Sequence, residues 1–230
     1  MTAAIGWGAL AASSLVIGAL AGLAGRWSDR LVGLVLAFGA GALISAVSFD
    51  LAEEGARVGD PGFLGVGLAV GALTYFTLDR LLERRSGGGG TALALGAFLD
   101  GIPEQLVLGI GIAAGEGVGV GLLVAIFVSN LPESIGSSTE MRAAGTRPAA
   151  IRRLWLVVAV ICTVATVVGY AVADNVGGNA HAIVDGFAAG ALLVMLIDSM
   201  IPEAVRKGGE VSGLVTVLGF AVAAGLSGIS

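Results

Sequence analysis

Charged, aromatic, cysteine and histidine residues are all scarce in this chain of 230 residues. Only 13% of the residues are charged, against about 25% in an ordinary soluble domain. The single cysteine, Cys162, and the single histidine, His181, exclude a disulfide framework and a structural metal site rich in these residues. The chain therefore has little with which to build a solvated surface or a nucleic-acid interface.

Apolar residues and glycine take the place of the missing charge. The chain is 56% hydrophobic and contains 39 glycines, and its mean hydropathy is +0.96. A water-soluble globule of this size cannot bury so much apolar surface. The composition excludes a soluble enzyme, a nucleic-acid-binding protein and a disordered chain. It predicts an all-α integral membrane protein whose surroundings are the lipid bilayer.

Apolar stretches long enough to cross a bilayer core recur along the whole chain. They lie at about 4–25, 31–52, 62–82, 91–115, 117–140, 154–173, 181–203 and 210–229, with roughly 20 residues needed for each crossing. We therefore expect eight transmembrane helices, joined by short loops, in a single transmembrane domain over 1–230. The first stretch is interpreted as a retained helix because no basic residue precedes it.

The basic residues predict how the chain is oriented in the membrane. Eleven of the twelve Lys and Arg residues fall at alternate connections between spans, among them Lys207 between the seventh and eighth spans. Arg57 is the exception. Because cytoplasmic loops are enriched in Lys and Arg, both termini are expected outside the cell.

An internal repeat relates the second span to the seventh and the fourth span to the fifth. A constant offset of 149 residues aligns Phe38 with Phe187 and Glu54 with Glu203. The fourth and fifth spans each carry a Pro-Glu sequence near their middle, Ile102-Pro103-Glu104 and Leu131-Pro132-Glu133. Both pairs run in opposite directions in the predicted topology. Inverted repeats with interrupted helices are typical of secondary transporters.

Oxygen-bearing side chains near mid-span are the candidate ligands of a cation. An ionised group inside a bilayer costs about 2.5–3.5 kcal/mol even on lenient scales, so it is neutralised by a proton or by a bound cation. The predicted metal ligands are Asp100, Glu104, Ser129, Asn130 and Glu133. Oxygen ligands suit hard divalent ions, and each proline frees a further backbone carbonyl.

Further polar groups lie toward the two ends of the predicted path. The expected external entrance consists of Asp50, Glu53, Glu54, His181 and Asp185. The expected cytosolic exit consists of Asp198 and Glu203. Acidic groups at both mouths and at the midplane indicate a cation pathway, and a relay of protons along the same carboxyl groups is the alternative.

With these residues in view, the chain resembles the ZIP (Zrt-, Irt-like protein) family of divalent-metal transporters. The resemblance extends over nearly the whole chain and rests on Asp100-Gly101-Ile102-Pro103-Glu104-Gln105, on Ser129-Asn130-Leu131-Pro132-Glu133-Ser134 and on the seventh span from Phe187 to Ala204. It implies eight helices, external termini, a metal site between the fourth and fifth helices and a homodimer. Asp100 and Ser129 stand where family members usually place an imidazole or an amide.

The sequence predicts a secondary transporter in the cell membrane that moves divalent metal ions into the cytoplasm through a carboxylate-rich midplane site. Zinc, or a related ion such as manganese or iron, is the expected substrate. We expect no enzymatic activity, no prosthetic group and no nucleic-acid partner. The alternative is a protein of transporter fold that no longer moves transition metals and instead conducts protons or senses a ligand.

Overall fold

The computed structural model describes residues 1–25, 27–85, 90–113 and 120–227. In these ranges helices are the only regular elements, which confirms the predicted all-α fold for this part of the chain. They are α1 Thr2–Ala24, α2 Asp29–Val58, α3 Pro61–Arg85, α4 Gly90–Ala113, α5 Val120–Ala143, α6 Pro148–Asp174, α7 Asn179–Gly208 and α8 Ser212–Ser227.

Within the described ranges, five helices are long and apolar enough to cross a membrane: α1, α2, α3, α6 and α7. Many large apolar side chains point outward, among them Val70 and Leu73 of α3, Val160 of α6 and Leu214 of α8. An exposed apolar surface of this kind is suited to lipid rather than to water. The helices α4 and α5 carry the internal prolines Pro103 and Pro132.

Local sequence signals explain where several helices begin and end. Ser28 caps α2 by accepting a hydrogen bond from the backbone N–H of Leu31 at 3.2 Å. At the start of α6, Pro148 occupies a first-turn position, where no intrahelical N–H is needed. Gly209 ends α7 with a positive φ of 78°, a conformation that glycine adopts without strain.

Glycines allow α3 and α7 to pack backbone against backbone. A Cβ atom on Gly71 would overlap the carbonyl oxygen of Phe187, and a Cβ atom on Gly190 would overlap that of Leu68. Small residues at such spacings let membrane helices approach closely. Gly67 faces the carbonyl of Ile183 and Gly71 that of Phe187, so residue numbers rise together along this contact and α3 and α7 are parallel.

The same close approach occurs between three other pairs of helices. Glycine in one helix faces a backbone carbonyl of the other at α1–α5, α2–α8 and α4–α6, through Gly18 and Leu131, Gly41 and Thr216, and Gly109 and Thr166 respectively. In contrast, α2 and α7 are antiparallel, because Gly33 packs against Gly208 at one end and Gly59 against Ala182 at the other. The beginning of α7 therefore meets the end of α2.

Two segments of π-helix widen the long helices α2 and α7. They span Val47–Glu53 in α2 and Leu196–Met200 in α7. They contain acidic residues that the sequence singled out, namely Asp50 and Glu53 in α2 and Asp198 in α7. In α7, Pro202 lacks the N–H that would bond back into the preceding turn, which favours the wider winding. Turns of this kind are frequent at functional sites.

Candidate functional site

Asp100 of α4 joins three helices. Its side chain is buried, and both carboxylate oxygens accept hydrogen bonds from other helices. The hydroxyl of Tyr75 in α3 donates to Oδ1, and the hydroxyl of Ser199 in α7 donates to Oδ2 at 3.2 Å. Because Ser199 belongs to the π-helical segment of α7, the wider turn directly positions a group at the predicted site.

Glu104 lies one turn after Asp100 on the same face of α4. It is 1% exposed, and its Oε1 accepts a hydrogen bond from the Ser129 hydroxyl of α5 at 2.9 Å. Its Oε2 has no hydrogen-bond partner among the described residues. Gly39 of α2 has no side chain, which lets α5 approach closely at Ser129. A Cβ atom on Gly39 would lie 3.1 Å from the Cα of Ser129.

Asn130, the neighbour of Ser129 in α5, is fully buried. Neither atom of its amide group has a hydrogen-bond partner within the described residues. Buried polar groups are almost always satisfied, because leaving one unpaired costs the full penalty of removing it from water. The free oxygens of Glu104 and Asn130 are therefore suited to hold a polar ligand.

Glu133 lies one turn beyond Ser129 on α5 and is half-buried. It interacts electrostatically with both predicted carboxylate ligands of α4 and with two residues at the end of α7, namely Asp100, Glu104, Glu203 and Lys207. The structure thus brings the predicted exit residue Glu203 close to the predicted midplane group Glu133. The other predicted exit residue, Asp198, is exposed.

Lys207 also lies next to these carboxylates, although the sequence predicted it in the connection between the seventh and eighth spans. It belongs to the last turn of α7, where its Nζ lies 2.5 Å from Oε1 of Glu203. Its side chain is only 13% exposed. The carboxylates of the predicted pathway therefore have a basic neighbour.

At the opposite end of α7, three of the five predicted entrance residues come together. His181 Nε2 lies 3.5 Å from Oδ1 of Asp185, and Asp185 is buried at 1% exposed. Glu54 at the end of α2 interacts electrostatically with Asp185 and forms an ion pair with Arg57 at 2.6 Å. The remaining two lie in the π-helical segment of α2, where Asp50 is half-buried and Glu53 is exposed.

The oxygen-bearing side chains of α4 and α5 are adjacent, but they do not converge on a common position for an ion. Across the described ranges, no three or more His, Cys, Asp or Glu side chains are arranged to hold a metal ion. In this conformation the carboxylates of Asp100 and Glu104 are instead bonded to hydroxyl groups. A cation here would take ligands from hydroxyl, amide and carbonyl oxygens in addition to carboxylates.

Sequence reasoning missed Tyr75 and Ser199, which bind Asp100, and misplaced Lys207. Tyr75 lies in an apolar helix with no motif around it, so nothing in the sequence connects it to α4. A signal for Ser199 was present: the offset of 149 residues that relates α2 to α7 aligns it with Asp50.

Comparison with known proteins supports the membrane assignment. The chain is 27% identical over 188 residues to a protein of Arabidopsis thaliana named "putative zinc transporter", and the match covers 76% of this chain. The chain spans 30% of the length of that relative. No family model matches the chain. The likeness is consistent with the resemblance to the ZIP family, and with the apolar helices it indicates a multi-pass membrane protein.

Proposed function

We propose that the protein is a secondary transporter that moves divalent metal ions, zinc or a related ion such as manganese or iron, across the cell membrane into the cytoplasm. The observation that carries the proposal is the Glu104–Ser129 contact, buried between α4 and α5 with one glutamate oxygen unpartnered. The name of the plant relative supports a metal ion as the substrate. Binding and release require no covalent chemistry, so the protein is proposed not to be an enzyme.

The proposed metal ligands lie on α4 and α5: Asp100, Glu104, Ser129, Asn130 and Glu133. Asp100 and Glu104 share a face of α4, and Ser129 already bonds Glu104. In the absence of the ion, the Tyr75 and Ser199 hydroxyls satisfy Asp100. An arriving ion exchanges these hydroxyl contacts for direct coordination. Because the ligands are oxygen atoms, hard divalent ions are favoured over softer ones.

The path to and from this site follows α2 and α7. At the proposed external entrance, Asp50, Glu53 and Glu54 of α2 and His181 and Asp185 of α7 attract the ion. At the proposed cytosolic exit it passes Asp198 and Glu203. Rocking of one group of helices against the other opens the site to each side in turn, as in other transporters with a midplane site.

We further propose eight transmembrane helices with external termini and inverted repeats that relate α2 to α7 and α4 to α5. Parallel packing supports an alternating arrangement, because the parallel pairs are odd with odd (α1–α5 and α3–α7) or even with even (α4–α6). In α1–α5, Gly18 faces Leu131 and Gly22 faces Ile135; in α4–α6, Gly101 faces Cys162 and Gly109 faces Thr166. The offset of 149 residues also aligns the starts of the two π-helical segments, Val47 and Leu196. A homodimer is proposed from the resemblance alone.

A comparison of ion uptake tests the proposed function. Cells that express the full chain should accumulate at least one of zinc, manganese, iron, cobalt and cadmium faster than cells that express Glu104→Gln at equal membrane abundance. Absence of accumulation for all five ions, together with protein-dependent acidification of the cytoplasm, would favour the alternative of proton conduction. The hydroxyl and carboxyl groups of Tyr75, Asp100 and Ser199 form a short hydrogen-bonded chain that suits that alternative.

A further inference from the structure

Lys207 is a basic residue whose charge is directed into the protein. Its ammonium group lies 2.5 Å from Glu203 Oε1, and its side chain is 13% exposed. The adjacent Arg206 makes a useful contrast: it lies 3.8 Å from the same oxygen, and its side chain is 70% exposed. Two neighbouring basic residues thus differ sharply in their relation to Glu203.

The helices around Lys207 hold its side chain in place. On the α2 side, a Cβ atom on Gly33 would lie 2.7 Å from the Cβ of Lys207. On the α5 side, a Cβ atom on Gly136 would lie 3.4 Å from Nζ. Gly136 follows Glu133 by three residues and therefore shares its face of α5. The ammonium group accordingly lies beside the stretch of α5 from which Glu133 projects.

A fixed positive charge at this position changes how the carboxylates bind a cation. Glu133 interacts electrostatically with Lys207 and with Asp100, Glu104 and Glu203. Several carboxylates that are shielded from water attract a divalent ion strongly. An ion that is to cross the protein must nevertheless be bound weakly enough to be released. A nearby ammonium group repels the divalent ion and competes with it for the carboxylates, so it weakens binding of the ion.

We propose that Lys207 is an internal counter-charge that lowers the affinity of the carboxylate pathway for divalent cations and thereby speeds their release past Glu203. It is a positioning and affinity-setting residue and does not bind the ion. This inference rests on the proposed function for its role in release. Its effect on affinity is a property of the site alone and is measured separately.

An ordinary helix ion pair is the competing interpretation. Glu and Lys four residues apart often pair on exposed helix faces, and such pairs contribute little. The low exposure of Lys207 and its contact with α5 distinguish it from Arg206, which has the properties of an exposed pair. The two interpretations therefore make different predictions for the affinity of the protein for metal.

Equilibrium binding of zinc to the purified full chain tests the inference. Lys207→Met keeps the apolar stem and removes the charge, and it should lower the dissociation constant of zinc about fivefold. Lys207→Arg keeps the positive charge, so its dissociation constant for zinc should stay near that of the wild type. Arg206→Gln is the matched control and should leave zinc binding unchanged. Lys207→Gln repeats the test if Lys207→Met does not accumulate in the membrane.

Initial rates of zinc uptake into proteoliposomes give the second readout. Lys207→Met should lower KM and the maximal rate together, because zinc is bound more tightly and released more slowly. An unchanged dissociation constant in the charge-removing variants, or an equal shift in Arg206→Gln, overturns the inference. A wild-type protein without metal uptake contradicts the proposed function, and the inference is then decided by the dissociation constants alone.

Discussion

Asp100 gives the proposed site a carboxylate where the resembled family usually has an imidazole or an amide. The structure holds this carboxylate with two hydroxyl groups, from Tyr75 in α3 and Ser199 in α7, so its two oxygens face these two helices. Oxygen ligands favour ions such as manganese, and imidazole favours zinc. The identity of this one side chain is therefore expected to influence which ion is transported.

We predict that Asp100→His shifts the preference of uptake from manganese toward zinc. The measurement is uptake from an equimolar mixture of the two ions by cells that express each variant, normalised to protein in the membrane. Asp100→Asn controls for loss of charge, since an amide retains an oxygen donor without adding an imidazole. An identical ion ranking in Asp100→His and the parent would show that Asp100 does not bind the ion.

Glu133 is expected to act jointly with Glu104, because the two interact electrostatically and each follows a proline in its helix. We predict that Glu133→Gln reduces metal uptake at least about tenfold while the protein still accumulates, since an amide conserves volume. Glu140→Gln, at an exposed position of the same helix, should leave uptake unchanged.

The double variant of Glu104→Gln and Glu133→Gln provides a stricter check. If both residues bind the same ion, either single change already removes the site, and the double variant should be no worse than the singles. If the fold-loss of uptake in the double variant instead equals the product of the two single losses, the two glutamates serve different steps.

At the scale of helices, glycine contacts determine where Tyr75 meets Asp100. Gly71 precedes Tyr75 by one helical turn and packs against the backbone of Phe187 in α7. An added methyl group at Gly71 pushes α3 away from α7, and Tyr75 moves with it. The position of a functional hydroxyl thus depends on a residue without a side chain.

We predict that Gly71→Ala lowers the stability of the detergent-solubilised protein by about 1–3 kcal/mol, the usual cost of overpacking a close contact. Metal uptake should fall as well. Gly65→Ala on the same helix is the control, because no atom lies within 4 Å of a Cβ there. Since alanine is the better helix former, this control should be neutral or slightly stabilising. Equal melting temperatures for the two variants would contradict the packing account.

Hydropathy and charge in the sequence predict helices well, because apolar stretches interrupted by polar residues directly reflect the lipid surroundings. The π-helical segments were not predicted: a wider turn keeps the same composition, and only Pro202 in α7 marks one of them. The site was predicted on α4 and α5 because proline and glutamate are conspicuous in an apolar helix. Its partners on α3 and α7 depend on helix packing, which a linear pattern does not contain.

At the scale of the whole molecule, the orientation in the membrane is predicted from the segregation of basic residues. The connection at Ser86 lies outside the described residues, and it is predicted to be cytosolic. The turn at Gly177, between α6 and α7, is predicted to be external, and a Cβ atom there would meet no atom within 4 Å. The two positions therefore suit a test of sidedness.

We predict that an impermeant thiol reagent labels Gly177→Cys but not Ser86→Cys in intact cells. The background is Cys162→Ala, which removes the buried native thiol. Permeabilised cells serve as the control, in which both positions should react. Labelling of Ser86→Cys in sealed cells would reverse the proposed orientation and the assignment of entrance and exit.

The central claim is that divalent metal ions bind to the buried carboxylate of Glu104 as they cross the protein. Its most direct test is zinc and manganese uptake into sealed proteoliposomes that contain only the purified full chain and an enclosed metal indicator. The account predicts protein-dependent uptake that saturates with metal concentration and is abolished in Glu104→Gln, while Glu140→Gln retains it. Uptake by Glu104→Gln at the wild-type rate, with equal amounts of folded protein, would contradict it.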